Sequence, residues 1–332
     1  MKFFIPNLKR TTIACLSIIS SAFAGAHAAE NGLGFYLLGS KGALAALLPP
    51  PGIYFQNDAY FYSGSLGGNR QLPLGGVIGA GIKARAFIDL PTVLWVTPYD
   101  VLGGNLAFSL TTPIGGPNVN AGLVLGPFAG GRTDSLTTFG DPVASAILGW
   151  KAGNFHWSLS GMANVPIGDY RNDALANIAF HRWAGDLSAA GTWLDPNIGL
   201  DISGVIGVTF NGKNTSTDYR TGTEFHIEGA VSQYLTKEFS VGAIGYYYQQ
   251  ISDDSGPGAK LGSFRGRVAA LGATASYTFN AGIPVTARLK VVREFHTQNR
   301  LQGTAAWLSL SMPLYVNGRE RDAQKGRLPS GN

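Results

Sequence analysis

Hydrophobic and polar residues alternate singly along most of this chain, and residues 222–250 show it best. Phe225, Ile227, Val231 and Leu235 share one parity, while Glu224, His226, Glu228, Ser232 and Tyr234 share the other. A polar break over 235–238 follows, after which Phe239, Val241 and Ala243 resume the alternation. Successive side chains of a strand point to opposite faces, so the stretch predicts a hairpin with one apolar and one charged face. Charges need partners inside a dry core, so the charged face predicts a wet or ion-paired interior. Tyr246, Tyr247 and Tyr248 end the second strand and read as part of an aromatic girdle at a lipid–water boundary.

The same period runs on either side. Ile53, Phe55, Ala59 and Phe61 alternate with Tyr54, Gln56, Asp58, Tyr60 and Tyr62, and the aliphatic positions of 78–88 alternate with Gly79, Gly81, Lys83 and Arg85. Further candidate strands cover 91–97, 105–112, 119–128, 142–151, 155–165, 182–194, 198–210, 264–279, 285–295 and 304–314. Short links alternate with long polar ones from residue 53 onward, the habit of outer-membrane barrels with tight periplasmic turns and longer external loops. A sandwich has no reason to sort its loops in this way. The pattern therefore predicts an all-β, transmembrane antiparallel barrel over 53–314. The candidates number fourteen. Pro91 and Pro98 weaken the 91–104 region as regular strand, and treating it as a bent excursion leaves twelve.

The N-terminus places such a barrel in its compartment. Lys2, Lys9 and Arg10 precede an apolar run over 11–24 and an Ala26-His27-Ala28 cleavage pattern, so 1–28 reads as a signal peptide. Residues 29–52, broken by Gly39, Gly42 and Pro49-Pro50-Pro51, form a short segment expected before the barrel, with packing in the lumen as one option. Residues 315–332 carry Arg319, Arg321, Lys325 and Arg327 and read as a flexible basic tail. The whole chain has 25 Lys and Arg against 20 Asp and Glu; losing the leader's three cations brings it close to balance. Export and small net charge both disfavour a nucleic-acid partner. The single cysteine, Cys15, lies in the leader, and the 46 glycines and 11% aromatic content suit strands and turns.

The polar parity supplies the candidate lumen-facing residues: Tyr54, Asp58, Tyr60, Tyr62, Lys83, Arg85, Glu224, His226, Glu228, Arg265, Arg267, Arg288, Lys290 and Glu294. Asp201 and Tyr234 belong to the same set. Both charge signs occur, so cross-barrel salt bridges and a polar solute path are compatible readings. The inward tyrosines suit solutes with an apolar body and a polar handle. No nucleophile elbow, zinc-protease helix or nucleotide fingerprint is present, and His156, His181, His226 and His296 lack metal-ligand spacing. No catalytic residue, metal or cofactor is therefore expected.

Several stretches resemble a bacterial family. Residues 34–40 (GFYLLGS), 49–58 (PPPGIYFQND), 94–98 (LWVTP), 102–105 (LGGN), 175–178 (LANI) and 218–219 (DY) carry the likeness. So do 222–226 (GTEFH), 245–250 (GYYYQQ), 253–256 (DDSG), 265–271 and 294–295. The chain resembles the meta-pathway phenol degradation family over nearly all its mature length. That resemblance implies a kinked outer-membrane barrel of twelve strands passing bulky, rather hydrophobic small molecules by diffusion, from a family whose genes are often associated with the breakdown of aromatic compounds. The expectation is a channel for uptake of hydrophobic or aromatic small molecules, with membrane lipid and those solutes as its partners; the sequence leaves the oligomeric state open and favours a monomer. Its rivals are a structural or adhesive barrel and a barrel hydrolase, the latter needing a serine beside His226 or His156.

Overall fold

The computed structural model describes residues 34–66, 69–71, 77–125, 128–172, 174, 177–259 and 265–316. The expected leader over 1–28 and most of the expected tail lie outside these residues. Sixteen strands follow in order. They are β1 (Gly52–Leu66), β2 (Asn69–Gln71), β3 (Val77–Val101), β4 (Gly104–Thr111), β5 (Ile114–Leu125), β6 (Phe128–Ser135), β7 (Thr138–Phe139) and β8 (Val143–Ala152). Next come β9 (Phe155–Asn164), β10 (Ala184–Asp195), β11 (Leu200–Asn211), β12 (Glu224–Tyr234), β13 (Phe239–Gln250), β14 (Arg267–Asn280), β15 (Pro284–Gln298) and β16 (Gln302–Val316).

Twelve of these close an antiparallel barrel. From β8 to β16 each strand pairs with the next; β8 pairs with β4, β4 with β3, β3 with β1, and β1 with β16. Closure leaves no unpaired edge in the ring, as a lipid environment demands. Strands β2, β5, β6 and β7 lie outside the ring.

The expected strands at 78–88 and 91–97 are one continuous strand, β3, and the described residues of the expected strand at 119–128 belong to β5 and the first residue of β6, off the ring. Those two changes convert fourteen into twelve. The region 91–104 is thus wall rather than excursion. Its lower half, from Thr92, pairs with β4, and its upper half, Gly79 to Asp89, pairs with β5. The prolines fit this handover. Pro91 accepts from Thr112 N at 3.1 Å, so its missing N–H falls on the same edge, in the gap between the two partners. Pro98 sits in the register shift between Val96 and Asp100, a bulge that needs no ladder donor.

Alternation sorts the two faces. Leu187, Ile206, Ile227, Leu271, Leu289 and Leu308 stand on the outside of β10, β11, β12, β14, β15 and β16 and are exposed. Their neighbours Asp186, Val205, His226, Ala270, Lys290 and Trp307 are buried on the inside. The interior is only partly polar. Tyr36 and Leu38 pack there against Ala230, Ile244, Tyr246, Tyr248, Val268, Ala270 and Val292.

Candidate functional site

Residues 34–51 contain no helix or strand, only turns closed by Ser40 N to Leu37 O (3.1 Å) and Leu47 N to Leu44 O (3.0 Å). Irregular backbone carries donors and acceptors that no ladder satisfies, and a buried peptide group needs a partner. The barrel wall supplies them. Glu228 accepts Gly39 N (2.8 Å) on one carboxylate oxygen and Lys41 N (3.1 Å) on the other. Lys290 Nζ donates to the carbonyls of Gly39 (2.6 Å), Ser40 (2.8 Å) and Lys41 (3.3 Å). The same turn is thus held through its N–H groups by an anion and through its C=O groups by a cation. Gly39 suits the grip: its φ is 81°, and a Cβ there would lie 3.2 Å from the indole nitrogen of Trp307.

Further along, Asp201 accepts Leu44 N (3.0 Å), Thr192 Oγ1 accepts Ala46 N (3.1 Å), and Arg288 donates to Ala43 O (3.2 Å). At the other end Tyr36 stacks on His226 with centroids 3.6 Å apart. Burial pushes the Tyr36 hydroxyl well above its usual pKa, and the Glu228 charge adds to the shift, so it stays a neutral phenol. His226 Nε2 lies 2.9 Å from Asp186, whose carboxylate also accepts from Ser188 and from Thr209.

A second polar layer lies toward the end of the barrel that carries the β15–β16 loop. Tyr248 donates to Glu224, while Tyr62 (2.8 Å), Tyr246 (3.0 Å) and Gly303 N (2.7 Å) all donate to Glu294. Arg300, on the β15–β16 loop, sits 4.3 Å over the Tyr248 ring. Burial disfavours its charge, but Tyr248 and Glu294 outweigh that and hold the guanidinium firmly protonated.

Between the tethered segment and the wall of β1, β3, β4, β8 and β16 lies a cavity of about 1150 Å³. Tyr54 and Asp58 line it, and Tyr54 donates to Pro50 O at 2.7 Å. Asp58 accepts from Ser309 and from Gln56 (2.6 Å). Tyr60 is buried beside Trp307, at 4.5 Å between centroids.

Four of the expected lumen residues lie elsewhere. Lys83 and Arg85 share the parity of Phe87, which is exposed and contacts the exposed Phe61, while Ile82 and Ala84 point inward. They project outward from the upper part of β3, which outruns the roughly 9–11 residues that cross a bilayer. Arg265 lies before β14 and pairs with Asp253 at 2.6 Å, both more than half exposed. Arg267 has the parity of the outward Leu271 and donates to Gln298 at 2.8 Å. Here the inner face belongs to Val268 and Ala270, which pack on the segment.

Two other expectations change. Tyr246 and Tyr248 are not girdle residues: both are buried inside and bound to carboxylates. The cross-barrel salt bridges are replaced by side-chain grips on main chain; among the described residues the only inward ion pair is His226–Asp186. Asp186, Thr192, Lys41, Trp307 and Arg300 were missed. Asp186 and Thr192 share the inward parity of β10 and carry the signal; Lys41 and Arg300 lie outside the strands, and Trp307 is an apolar residue at an inward position. Ser188 lies near His226 but donates to the Asp186 carboxylate between them, and the group is sealed under Tyr36. Among the described residues no group of three potential metal ligands is assembled.

Residues 67–310 match the family described as "Putative MetA-pathway of phenol degradation". The chain belongs to this family. Among solved structures, this family member is similar to an outer membrane channel from Pseudomonas putida F1 at 14% identity and TM-score 0.66, covering 83% of this chain and 99% of that one. At that identity the likeness speaks for the fold. Weaker likenesses are to OpdK of Pseudomonas aeruginosa with vanillate (9% identity, TM-score 0.33, 79% and 98% covered) and to the translocator domain of the autotransporter NalP of Neisseria meningitidis (14%, 0.40, 92% and 98%). No curated protein matches the sequence.

Proposed function

We propose that the protein is an outer-membrane diffusion channel that takes up hydrophobic or aromatic small molecules without energy coupling. The observation that carries this reading is the 1150 Å³ cavity inside a closed barrel whose outer face is apolar. Its wall presents Ile88, Leu90, Leu94, Ile147, Met162 and Ile178, with a few polar groups among them. An apolar pocket with sparse polar groups suits a solute with an aromatic body and a polar handle. The family's description points to phenol degradation, which supports uptake of aromatic compounds broken down inside the cell.

A structural or adhesive role is favoured by one observation, the fastening of residues 39–46 across the lumen. Purified protein in planar bilayers separates the two. The channel reading expects single-channel conductance that small aromatic solutes block reversibly. Absence of conductance, in the full chain and in a variant lacking residues 34–51, together with absence of solute flux into proteoliposomes, would sink it.

A further inference from the structure

Three charged residues line the lumen cavity among the described residues: Lys41, Asp58 and Asp141. The fold already occupies both carboxylates. Asp58 accepts from Ser309 on one oxygen and from Gln56 (2.6 Å) on the other. Asp141, almost fully buried, accepts from Gly168 N (2.8 Å), Asn164 (2.9 Å) and Phe180 N (2.8 Å). Lys41 differs. Its main chain is pinned on both sides, by Glu228 and by Lys290, yet its ammonium makes no hydrogen bond or ion pair with a described residue. The turn therefore holds the Lys41 backbone rigidly at the edge of an apolar cavity and leaves its cation without a direct partner, coupled only through space to the Glu228 carboxylate and the Lys290 ammonium.

We infer that this cavity is a binding site for small aromatic carboxylates, with Lys41 as the residue that selects the anion. The aromatic body lies against the aliphatic wall, around Leu90, Ile147 and Met162, and the carboxylate accepts a charge-assisted hydrogen bond from Lys41 Nζ. A cation half-sheltered among apolar groups gains more from such a partner than one in open water. The clamped turn adds preorganisation, since little backbone freedom is lost on binding. Asp58 on the same lining opposes the anion and tempers its affinity. This inference rests on the channel reading only in taking the cavity as open to solutes.

Calorimetric titration of the full chain in detergent tests it, using benzoate and its neutral isostere benzamide. Wild type is expected to bind benzoate roughly 10-fold more tightly than benzamide, the scale of one charged hydrogen bond. Lys41→Gln is expected to bring the two within about 2-fold, Lys41→Arg to restore the preference, and Asp58→Asn to tighten benzoate alone. Equal binding of the two compounds by wild type, no binding of either, or a preference that survives Lys41→Gln would overturn the assignment. The wild-type ratio and the Asp58→Asn response stand even if Lys41→Gln fails to fold. Loss of the channel reading shows separately, as absent conductance with benzoate binding intact.

Discussion

Replacing Lys290 with Met should unseat residues 34–51 while leaving the barrel closed. The ammonium donates to three carbonyls, at 2.6, 2.8 and 3.3 Å, and is 2% exposed. Met fills much the same volume but donates nothing, so those carbonyls lose their partners, and Glu228 loses the cation that grips the same turn. A hydrogen bond to a charged group contributes about 1.5–3 kcal/mol net, and the longest of the three contributes least. Removing the buried charge recovers part of its desolvation. The balance weakens seating by about 2–4 kcal/mol, which raises the released population roughly 30- to 700-fold at 1.4 kcal/mol per decade. Ala46 reports on this. It is 2% exposed, and the only natural cysteine, Cys15, lies in the expected leader, so Ala46→Cys gives a single shielded thiol. Maleimide labelling of that thiol should accelerate by about the same factor when Lys290→Met is added, with unchanged heat-dependent gel mobility of the barrel. Equal labelling rates with and without Lys290→Met would show that the grip on Gly39–Lys41 does not seat the segment.

The remaining expectations test the geometry around that grip. Gly39→Ala places a side chain at φ 81° and 3.2 Å from Trp307, so release should grow by roughly 5- to 30-fold in the same labelling assay, from about 1–2 kcal/mol of strain; no change would deny the strained turn. Leu289→Arg, on the outer face next to the inward Lys290, should lower folding stability in phospholipid vesicles by about 2–4 kcal/mol in denaturant titration, and a neutral result would put that face out of lipid. Arg265→Ala with Arg267→Ala should leave the reversal potential under a salt gradient unchanged, because both side chains lie outside the lumen. A shifted potential would return them to the solute path.

The barrel was legible because alternation is a property of the strand itself. Glu224, His226 and Glu228 share a face whatever lies opposite, and Phe225 and Ile227 share the other. What alternation leaves open is which face looks inward once a strand leaves the bilayer. Lys83 and Arg85 continue a regular pattern above the apolar belt, where the outer face tolerates charge, so parity misassigned them. Arg267 failed for the opposite reason: Val268 and Ala270 are inward and apolar, because Tyr36 and Leu38 pack on them. That contact joins residues more than two hundred positions apart and leaves no local trace.

The tether was hidden for a related reason. In the sequence the charges at Asp201, Glu228, Arg288 and Lys290 read as partners for one another, because alternation places side chains and says nothing of a main chain opposite them. Their demand comes from peptide groups of an irregular segment that periodicity cannot describe. Gly39, Gly42 and the three prolines at 49–51 mark that stretch as unable to satisfy its own backbone. A barrel that buries such a segment must place both acceptors and donors opposite it, because N–H and C=O groups occur together. Glu228 and Lys290 meet that requirement on one turn. Their charges then serve the segment first, and the ammonium left over for a solute is the segment's own, at Lys41.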